Sequence, residues 1–364
     1  MKRIITLGSL MRDCFLHTAS PEVLHLQTTD QELSFIVMQE GKKVLVTDIT
    51  YALGGGAANS ATSFARLGHA VTICGHIAND QEGSWILSQL QKQIAETSQI
   101  KTLDNGKTGT SYVIPCPSGN RSIFVHRGVN ETIANTTIAQ SLYLSHDALY
   151  CASLNGPAAL HFSGIVKAAK ENGLFVASNP GSHQITTYAE QVIQALPYVD
   201  ILIVNAYEAQ TLLREMQLAA AAKQEENSYG IDLQSLPELL RDPTASSDSC
   251  FALQSFFKTV AQYGPRVVII TNGAEGVYVA HKDQIFFHPS IPAPVVSTVG
   301  AGDAFGSAFV STFLNTNDIR LATRAGVSNS CAIIQTIDAQ SGLLNAHQLQ
   351  ECIATIDQDL LLVF

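Results

Sequence analysis

The 364-residue sequence is poor in charged residues, and basic residues are the scarcer kind. Only 14% of the residues are charged, the formal net charge is −10, and Lys and Arg form no cluster. A surface that binds nucleic-acid phosphates needs clustered cations. The composition therefore argues against a nucleic-acid partner.

The sequence also lacks paired cysteine motifs and an apolar run of membrane length. Its seven Cys are an odd number without a Cys-x-x-Cys pair, which argues against a disulfide framework or a zinc site and favours reduced thiols. The apolar N-terminus is interrupted by Arg12 and Asp13. We therefore expect a first strand there instead of a signal peptide, and a cytoplasmic protein without a membrane partner.

Two nucleotide-binding fingerprints are absent as well. The only Gly-Lys-Thr tripeptide begins at Gly106, and Lys101 occupies the position where a P-loop needs its first glycine. A dinucleotide fingerprint that starts at Gly300 fails because Phe305 replaces its third glycine. If the chain binds phosphate, it uses a different loop.

The pattern of apolar residues predicts an α/β fold. With 46% hydrophobic residues the chain can bury a sizeable core. Short β-branched runs alternate with helical patterns, which predicts a doubly wound, mostly parallel sheet flanked by helices, and we expect residues 1–364 to form a single domain. The predicted strands are Arg3–Leu7, Val71–Cys74, Ala148–Ala152, Leu174–Ala177, Ile201–Val204 and Val267–Thr271.

Two segments depart from this alternation. Leu33–Met38 and Lys43–Ile49 flank Gly41, and a second pair is formed by Thr110–Ile114 and Ser122–His126. Both pairs predict antiparallel hairpins, and we expect a small antiparallel β lid from about 14–50 and 108–127. A polar excursion is expected at about 216–250.

The predicted lid is unusually apolar. Its runs Phe35–Met38, Val44–Val46 and Ile123–Val125 are more apolar than a solvated sheet edge requires. Such a face can cover its own active site or pair with the same face of a second subunit. We expect a homodimer that forms through the lid.

The segment with the strongest chemical signal is Gly300-Ala301-Gly302-Asp303, which opens an apolar helix. Uncovered backbone amides at a helix N-terminus favour an anion. Asp303 stands in the first turn, where it could take a proton from a hydroxyl group. A phosphate cradle beside a carboxylate is typical of a phosphoryl transferase, although a glycine-rich loop can also simply cap a helix.

Two further motifs carry oxygen and amide groups. Gly54, Gly55 and Asn59, together with Asp13, would suit a polyhydroxyl ligand, or they could be an ordinary glycine-rich helix start. Asn205 and Glu208 lie three residues apart and share a helix face. They could hold a hydrated Mg²⁺ ion, or they could only serve the start of the helix.

In its order of motifs the chain resembles the ribokinase-like (PfkB) carbohydrate and nucleoside kinases. The resemblance covers nearly the whole chain and is most specific at Thr298–Asp303, with further matches at Gly8–Asp13, Gly54–Gly68, Asn205–Glu208 and Thr271–Gly276. It implies a ribokinase-like fold and an ATP-dependent kinase for a hydroxyl group of a sugar or nucleoside, with ATP and Mg²⁺ as cofactors. A non-catalytic sensor on the same fold is the alternative, and it would be expected to lose the base or the metal residues.

The resemblance also implies roles for single residues. They are a base (Asp303), an anion hole (Gly300, Ala301, Gly302), substrate contacts (Asp13, Gly54, Gly55, Asn59), nucleotide contacts (Asn205, Thr271, Gly273, Gly276, Asn329) and a magnesium contact (Glu208). Three positions depart from the family pattern. Ser297 replaces an Asp that helps bind a monovalent cation, which argues against potassium activation. Met11 and Gly56 replace residues of ribokinases proper, which argues against ribose as the substrate.

Overall fold

The computed structural model describes residues 1–18, 22–27, 32–94, 96–116, 121–220 and 253–364. Within these ranges it contains a ten-stranded sheet, a four-stranded sheet and a two-stranded hairpin. The predicted excursion at about 216–250 lies outside the described residues from position 221 onward. No helix in the described part of the chain is long and apolar enough to cross a membrane.

The secondary structure follows the predicted alternation. The strands are β1 (Arg3–Leu7), β2 (Met11–Thr18), β3 (Glu22–Gln27), β4 (Glu32–Val37), β5 (Val46–Gly54), β6 (Ala70–Ala78), β7 (Ile100–Leu103), β8 (Gly109–Pro115), β9 (Arg121–His126), β10 (Ala148–Ala152), β11 (Phe175–Asn179), β12 (Ile201–Asn205), β13 (Val267–Thr271), β14 (Val277–His281), β15 (Gln284–His288) and β16 (Leu362–Val363). The helices are α1 (Gly56–Arg66), α2 (Gln81–Leu90), α3 (Gln140–Ser145), α4 (Phe162–Glu171), α5 (Ser182–Thr187), α6 (Ala189–Ala195), α7 (Ala206–Ala220), α8 (Leu253–Ala261), α9 (Ala301–Thr316), α10 (Ile319–Ile333) and α11 (Ala346–Thr355).

The large sheet confirms the predicted doubly wound architecture. Its strand order is β16-β15-β14-β13-β12-β11-β10-β1-β6-β7. Neighbours from β7 to β13 are parallel, and β14 to β16 add an antiparallel edge. The strand order reverses at β1, so a crevice for a ligand is expected at the carboxyl ends of the strands beside it.

Two hydrophobic clusters cover the faces of this sheet. One includes Phe162 of α4 and Phe256 of α8, and the other includes Phe64 of α1 and Phe309 of α9. All four rings are fully or almost fully buried. Helices α1 and α9 pack against each other on one face. The Ala57 N–H donates to the Ser9 carbonyl oxygen just beyond β1, and Asn59 donates to Asp303, so the N-termini of both helices meet at the carboxyl end of β1.

The four-stranded sheet, which we call the lid, has the order β5-β2-β8-β9. The predicted hairpin around residues 118–120 is confirmed, because β8 and β9 pair antiparallel, although its apex lies outside the described residues. Strands β2 and β5 are also antiparallel, whereas β2 and β8 run parallel. The lid is therefore two antiparallel pairs joined by one parallel contact.

The predicted hairpin around Gly41 is wrong. The run Leu33–Met38 falls in β4, which pairs with β3, while β5 pairs with β2. The prediction assumed that runs adjacent in the chain pair with each other. The eight-residue strand β2 offers β5 a longer ladder than β4 could, and β3 then serves as the partner of β4.

Arg12 attaches the lid to helix α2. Its guanidinium carbon lies 4.0 Å from the Tyr51 ring centroid and 4.9 Å from that of Trp85, and its Nη1 lies 3.2 Å from Glu82 Oε1. Tyr51 belongs to the lid, whereas Trp85 and Glu82 belong to α2. These contacts hold β2 in place at Arg12, the residue next to Asp13.

Candidate active site

The N-terminus of α9 is built on two glycines with different roles. Gly300 precedes the helix in a left-handed conformation (φ 78°), and a Cβ there would lie 2.5 Å from Ala339 Cβ. A Cβ on Gly302 would have no protein atom within 4 Å. The first glycine is thus required by the backbone and by packing. The second leaves open space where the free amides and the positive end of the helix dipole favour an anion.

Asp303 lies in the first turn of α9 and receives a hydrogen bond from Asn59 Nδ2, at 2.9 Å from its Oδ2. Burial raises the pKa of Asp303 to about 6, the Asn59 hydrogen bond opposes this rise, and the charge of Asp13 adds to it. A carboxylate with such a pKa is still mostly ionised at neutral pH and is a stronger base than a solvated Asp.

Asp13 is the second carboxylate of the site. It lies on β2, accepts a hydrogen bond from Ser111 Oγ of β8 at 2.5 Å, and is 8% exposed. Burial also raises its pKa to about 6. A Cβ on Gly54 would lie 1.9 Å from Asp13 Oδ2, and one on Gly55 would lie 2.3 Å from the Ser9 carbonyl oxygen. These two glycines therefore make room for the carboxylate and for the backbone between β1 and β2.

A cavity of about 270 Å³ lies beside Asp13. One part of its wall is polar and includes Ser9, Ser111, Arg127, Asn130, Ser153 and Asn155. Another part is apolar and includes Met11, Val113, Ile123, Val125, Ile133, Leu154 and Val299. Because β8 and β9 supply part of the wall, the lid covers the cavity. A small cavity with a few converging polar groups suits a small hydroxylated molecule.

Arg121 connects the lid to the loop that precedes α9, and sequence reasoning missed it. This first residue of β9 donates a hydrogen bond from its guanidinium to Thr298 Oγ1, two residues before Gly300. Burial lowers the pKa of Arg121, which nevertheless stays a cation at neutral pH. The contact joins positions 177 residues apart, and the sequence carries no local signal for it.

Asn205 and Glu208 form a reciprocal cap at the start of α7. The Asn205 backbone N–H donates to Glu208 Oε2, and the Glu208 N–H donates to Asn205 Oδ1, both at 2.8 Å. Ser182 Oγ donates to Glu208 Oε1, also at 2.8 Å. Burial raises the pKa of Glu208. The pair therefore serves the helix start, and each carboxylate oxygen keeps at most one lone pair for a water bound to a metal ion.

The other residues that the sequence predicts to contact a nucleotide, apart from Asn329, lie on the neighbouring strand or just beyond it. Thr271 of β13 is the register partner of Asn205 of β12, so the two lie side by side at the carboxyl edge. Gly273 (φ 53°) faces open space, whereas a Cβ on Gly276 would lie 2.3 Å from the His288 carbonyl oxygen. In the described part of the chain, no group of three or more His, Cys, Asp or Glu side chains could hold a metal ion.

The structure contradicts the expected position of Asn329. This side chain is fully buried, its Nδ2 donates to the Ala304 carbonyl oxygen at 2.8 Å and to Ser63 Oγ at 3.3 Å, and its Oδ1 accepts from the Leu344 N–H at 3.0 Å. Since its polar atoms are engaged inside the protein, it has no surface to offer a nucleotide. Asn329 instead ties α10 to α1 and α9.

A doubly wound sheet whose carboxyl edge carries a glycine-capped helix beneath a small β lid defines the ribokinase-like class of α/β proteins. Over residues 1–233 and 241–346 the chain matches the pfkB family of carbohydrate kinases. The protein belongs to this family.

Similar proteins agree with this assignment. The ribokinase of Haemophilus influenzae is 26% identical over 296 residues, which cover 80% of this chain and 84% of the relative. The structure of Cryptococcus neoformans ribokinase in complex with ADP superposes with a TM-score of 0.69 and 20% identity, covering 96% of this chain and 99% of that one. Arabidopsis thaliana ribokinase complexed with ribose and ATP gives 0.73 and 17%, with 98% and 99% covered. The two structures show a shared fold.

The two glycines at the start of α9 predict opposite effects of an added methyl group. Gly300→Ala should destabilise the protein by about 1–3 kcal/mol, because it strains a left-handed residue and collides with Ala339. Gly302→Ala should leave stability unchanged or slightly higher, because its Cβ meets open space. Thermal unfolding of both variants tests this, and equal destabilisation would contradict the assigned roles.

Proposed function

We propose that the protein transfers the γ-phosphoryl group of ATP to a hydroxyl group of a sugar or a nucleoside. The observation that carries the proposal is the position of Asp303. It accepts a hydrogen bond from Asn59 beside the open N-terminus of α9, and the charge of Asp13 raises its pKa. Membership of the pfkB family supports it. Relatives named ribokinase and ATP-dependent ribose-1-phosphate kinase lend further support.

In this proposal Asp13 and Ser111 bind hydroxyl groups of the acceptor, and Asp303 accepts the proton of the hydroxyl that attacks. The amides of Gly300, Ala301 and Gly302 stabilise the charge on the transferring phosphoryl group. Lid strands β8 and β9 exclude water, which limits wasteful hydrolysis. Since such a transition state is loose, the base mainly orients the nucleophile, and a largely ionised carboxylate suffices.

The residues present fit ATP and Mg²⁺. The open space at Gly302 accommodates a phosphate group that a side chain would exclude. Asn205, Thr271, Gly273 and Gly276 are proposed to lie on the nucleotide side, and Glu208 to hold waters of a hydrated Mg²⁺. When bound, the Mg²⁺ ion would neutralise part of the negative charge of the phosphate groups.

The proposal is tested by measuring ADP release from ATP with a panel of sugars, sugar phosphates and nucleosides, ribose included. Phosphorylation of at least one acceptor well above the rate of ATP hydrolysis alone is the expected result. Binding of an acceptor without turnover would instead support a non-catalytic sensor on this fold.

Asp303→Asn should lower turnover by roughly 10²–10⁴-fold, the usual contribution of a general base. The amide can still accept the Asn59 hydrogen bond, so the fold and ATP binding should persist. Steady-state kinetics and ATP titration measure both effects. Asp283→Asn, at an exposed carboxylate in the turn between β14 and β15, serves as the control. Near wild-type turnover of Asp303→Asn would disprove its role as base.

Glu208→Gln should raise the Mg²⁺ concentration needed for half-maximal rate by roughly tenfold, because a neutral amide holds metal-bound water more weakly. A magnesium titration of the rate measures this, with the exposed Glu190→Gln as the control. An unchanged titration would leave Glu208 as a helix cap only.

We also propose that activity depends only weakly on potassium. Ser297 is 7% exposed, and its Oγ accepts a hydrogen bond from the Val299 N–H at 3.2 Å. A hydroxyl at this position lacks the negative charge that attracts a monovalent cation. Rates in potassium chloride and in tetramethylammonium chloride at equal ionic strength should agree within about twofold; a large potassium requirement would refute this.

The exposed outer face of the lid supports the proposal of a homodimer. Tyr51, Tyr112 and Phe124 are 50%, 46% and 57% exposed and lie in one register row, in which the buried Cys14 of β2 stands between Tyr51 and Tyr112. Their neighbours Val113 and Val125 point to the other side and line the cavity. We propose that the aromatic row packs against the same row of a second subunit, as in isologous interfaces.

Phe124→Asp should dissociate this dimer, since an unpaired charge in an interface core is costly. Leu144→Asp, on the exposed side of α3, should not. Light scattering at tens of micromolar, a range in which a weak dimer is still populated, measures the mass. A monomeric wild-type protein would contradict the proposal.

A further inference from the structure

The Asn59 side chain makes hydrogen bonds at both ends of its amide group. Its Nδ2 donates to Asp303 Oδ2 at 2.9 Å, and its Oδ1 accepts from Gln340 Nε2 at 3.2 Å. Asn59 and Gln340 are both 6% exposed. An amide has donors at one end and an acceptor at the other, so the group that Gln340 presents decides which end of Asn59 faces Asp303.

Gln340 is itself held in one orientation. Its Oε1 accepts from Thr62 Oγ1 and from Gln93 Nε2, both at 3.4 Å, which leaves its Nε2 directed at Asn59. Its backbone is fixed as well, because its N–H donates to Asp338 Oδ1 at 2.7 Å and its carbonyl oxygen accepts from Arg66 Nη1 at 2.8 Å. The amide of Gln340 can therefore act as a fixed reference for that of Asn59.

We infer that Gln340 is a positioning residue for Asp303: by donating to Asn59 Oδ1 it keeps the Asn59 amide turned so that Nδ2 donates to the carboxylate. This inference rests on the proposed function for its consequence in catalysis. The positioning itself does not depend on that function, because it concerns the protonation of one carboxyl group in the protein without ligands.

The charge of Asp303 depends on this arrangement. If Asn59 turned over, its Oδ1 would face Asp303 Oδ2, and two acceptors would oppose each other. Burial and the charge of Asp13 on β2 already raise the pKa of Asp303, the Asn59 bond from α1 lowers it, and Tyr150 of β10 also lies within its electrostatic range. Loss of the Asn59 bond should therefore raise the pKa further and leave less of the ionised base at neutral pH.

Three variants test the inference. Gln340→Met is similar in length but cannot donate to Asn59. Asn59→Leu removes the bond to Asp303, and the double variant shows whether Gln340 acts through Asn59. The control is Gln335→Met, the same substitution at an exposed glutamine whose Nε2 donates to the Cys331 carbonyl oxygen.

The primary readout is the pKa of Asp303 in the protein without ligands. It is followed by ¹³C NMR in protein labelled at the Asp carboxyl carbon, with the resonance assigned by its loss in Asp303→Asn. Gln340→Met should raise this pKa by roughly 0.5–1, a contribution typical of one hydrogen bond. Asn59→Leu should raise it at least as much, the double variant should equal Asn59→Leu, and Gln335→Met should leave it unchanged.

The kinetic readout is the pH profile of kcat/KM for any acceptor identified from the panel. In Gln340→Met the acid limb should move to higher pH, so kcat/KM should fall roughly three- to tenfold at pH 5 and by less than about twofold at pH 7. An unchanged pKa of Asp303 in Gln340→Met, or an effect that adds to that of Asn59→Leu, would overturn the inference. A raised pKa in a protein that phosphorylates no acceptor would uphold the positioning and refute the proposed kinase activity instead.

Discussion

The hydrogen bond between Asn59 and Asp303 is the contact on which the site depends, because it joins residues 244 positions apart at the start of two packed helices. Helices α1 and α9 lie together on one face of the sheet, and a buried Ser307–Ser63 hydrogen bond of 2.7 Å links them one turn below. Asp303 is thus positioned by rigid helices instead of loops. Such an arrangement holds a side chain closely in place.

The site departs from the usual rule that carboxylates stay in contact with water. Asp303 and Asp13 are carboxylates in a poorly solvated region, where burial raises the pKa of both and the charge of Asp13 adds to the rise at Asp303. Few hydrogen-bond donors, chiefly Asn59 and Ser111, offset the free energy that it costs to bury these carboxylates. Buried ionisable groups with shifted pKa values concentrate at functional sites, so this local conflict marks the same place that the glycine-capped helix does.

The sequence predicted those features that local patterns determine. Six strands of the large sheet and the glycine-capped helix were found because β-branched runs, glycines and a first-turn Asp are signals within about ten residues. The pairing around Gly41 failed because strand partners are set by tertiary contacts. Gln340 and Arg121 were missed, and Asn329 was misplaced, because their contacts span long sequence separations.

The central claim is that the N-terminus of α9 receives the phosphoryl group next to Asp303. The most direct test is a crystal structure of the protein with Mg²⁺ and an ATP analogue that cannot transfer its γ-phosphoryl group. We expect γ-phosphate oxygens at about 3 Å from the amides of Gly300, Ala301 and Gly302, with Asp303 on the acceptor side. A triphosphate bound elsewhere, with these amides unoccupied, would contradict it.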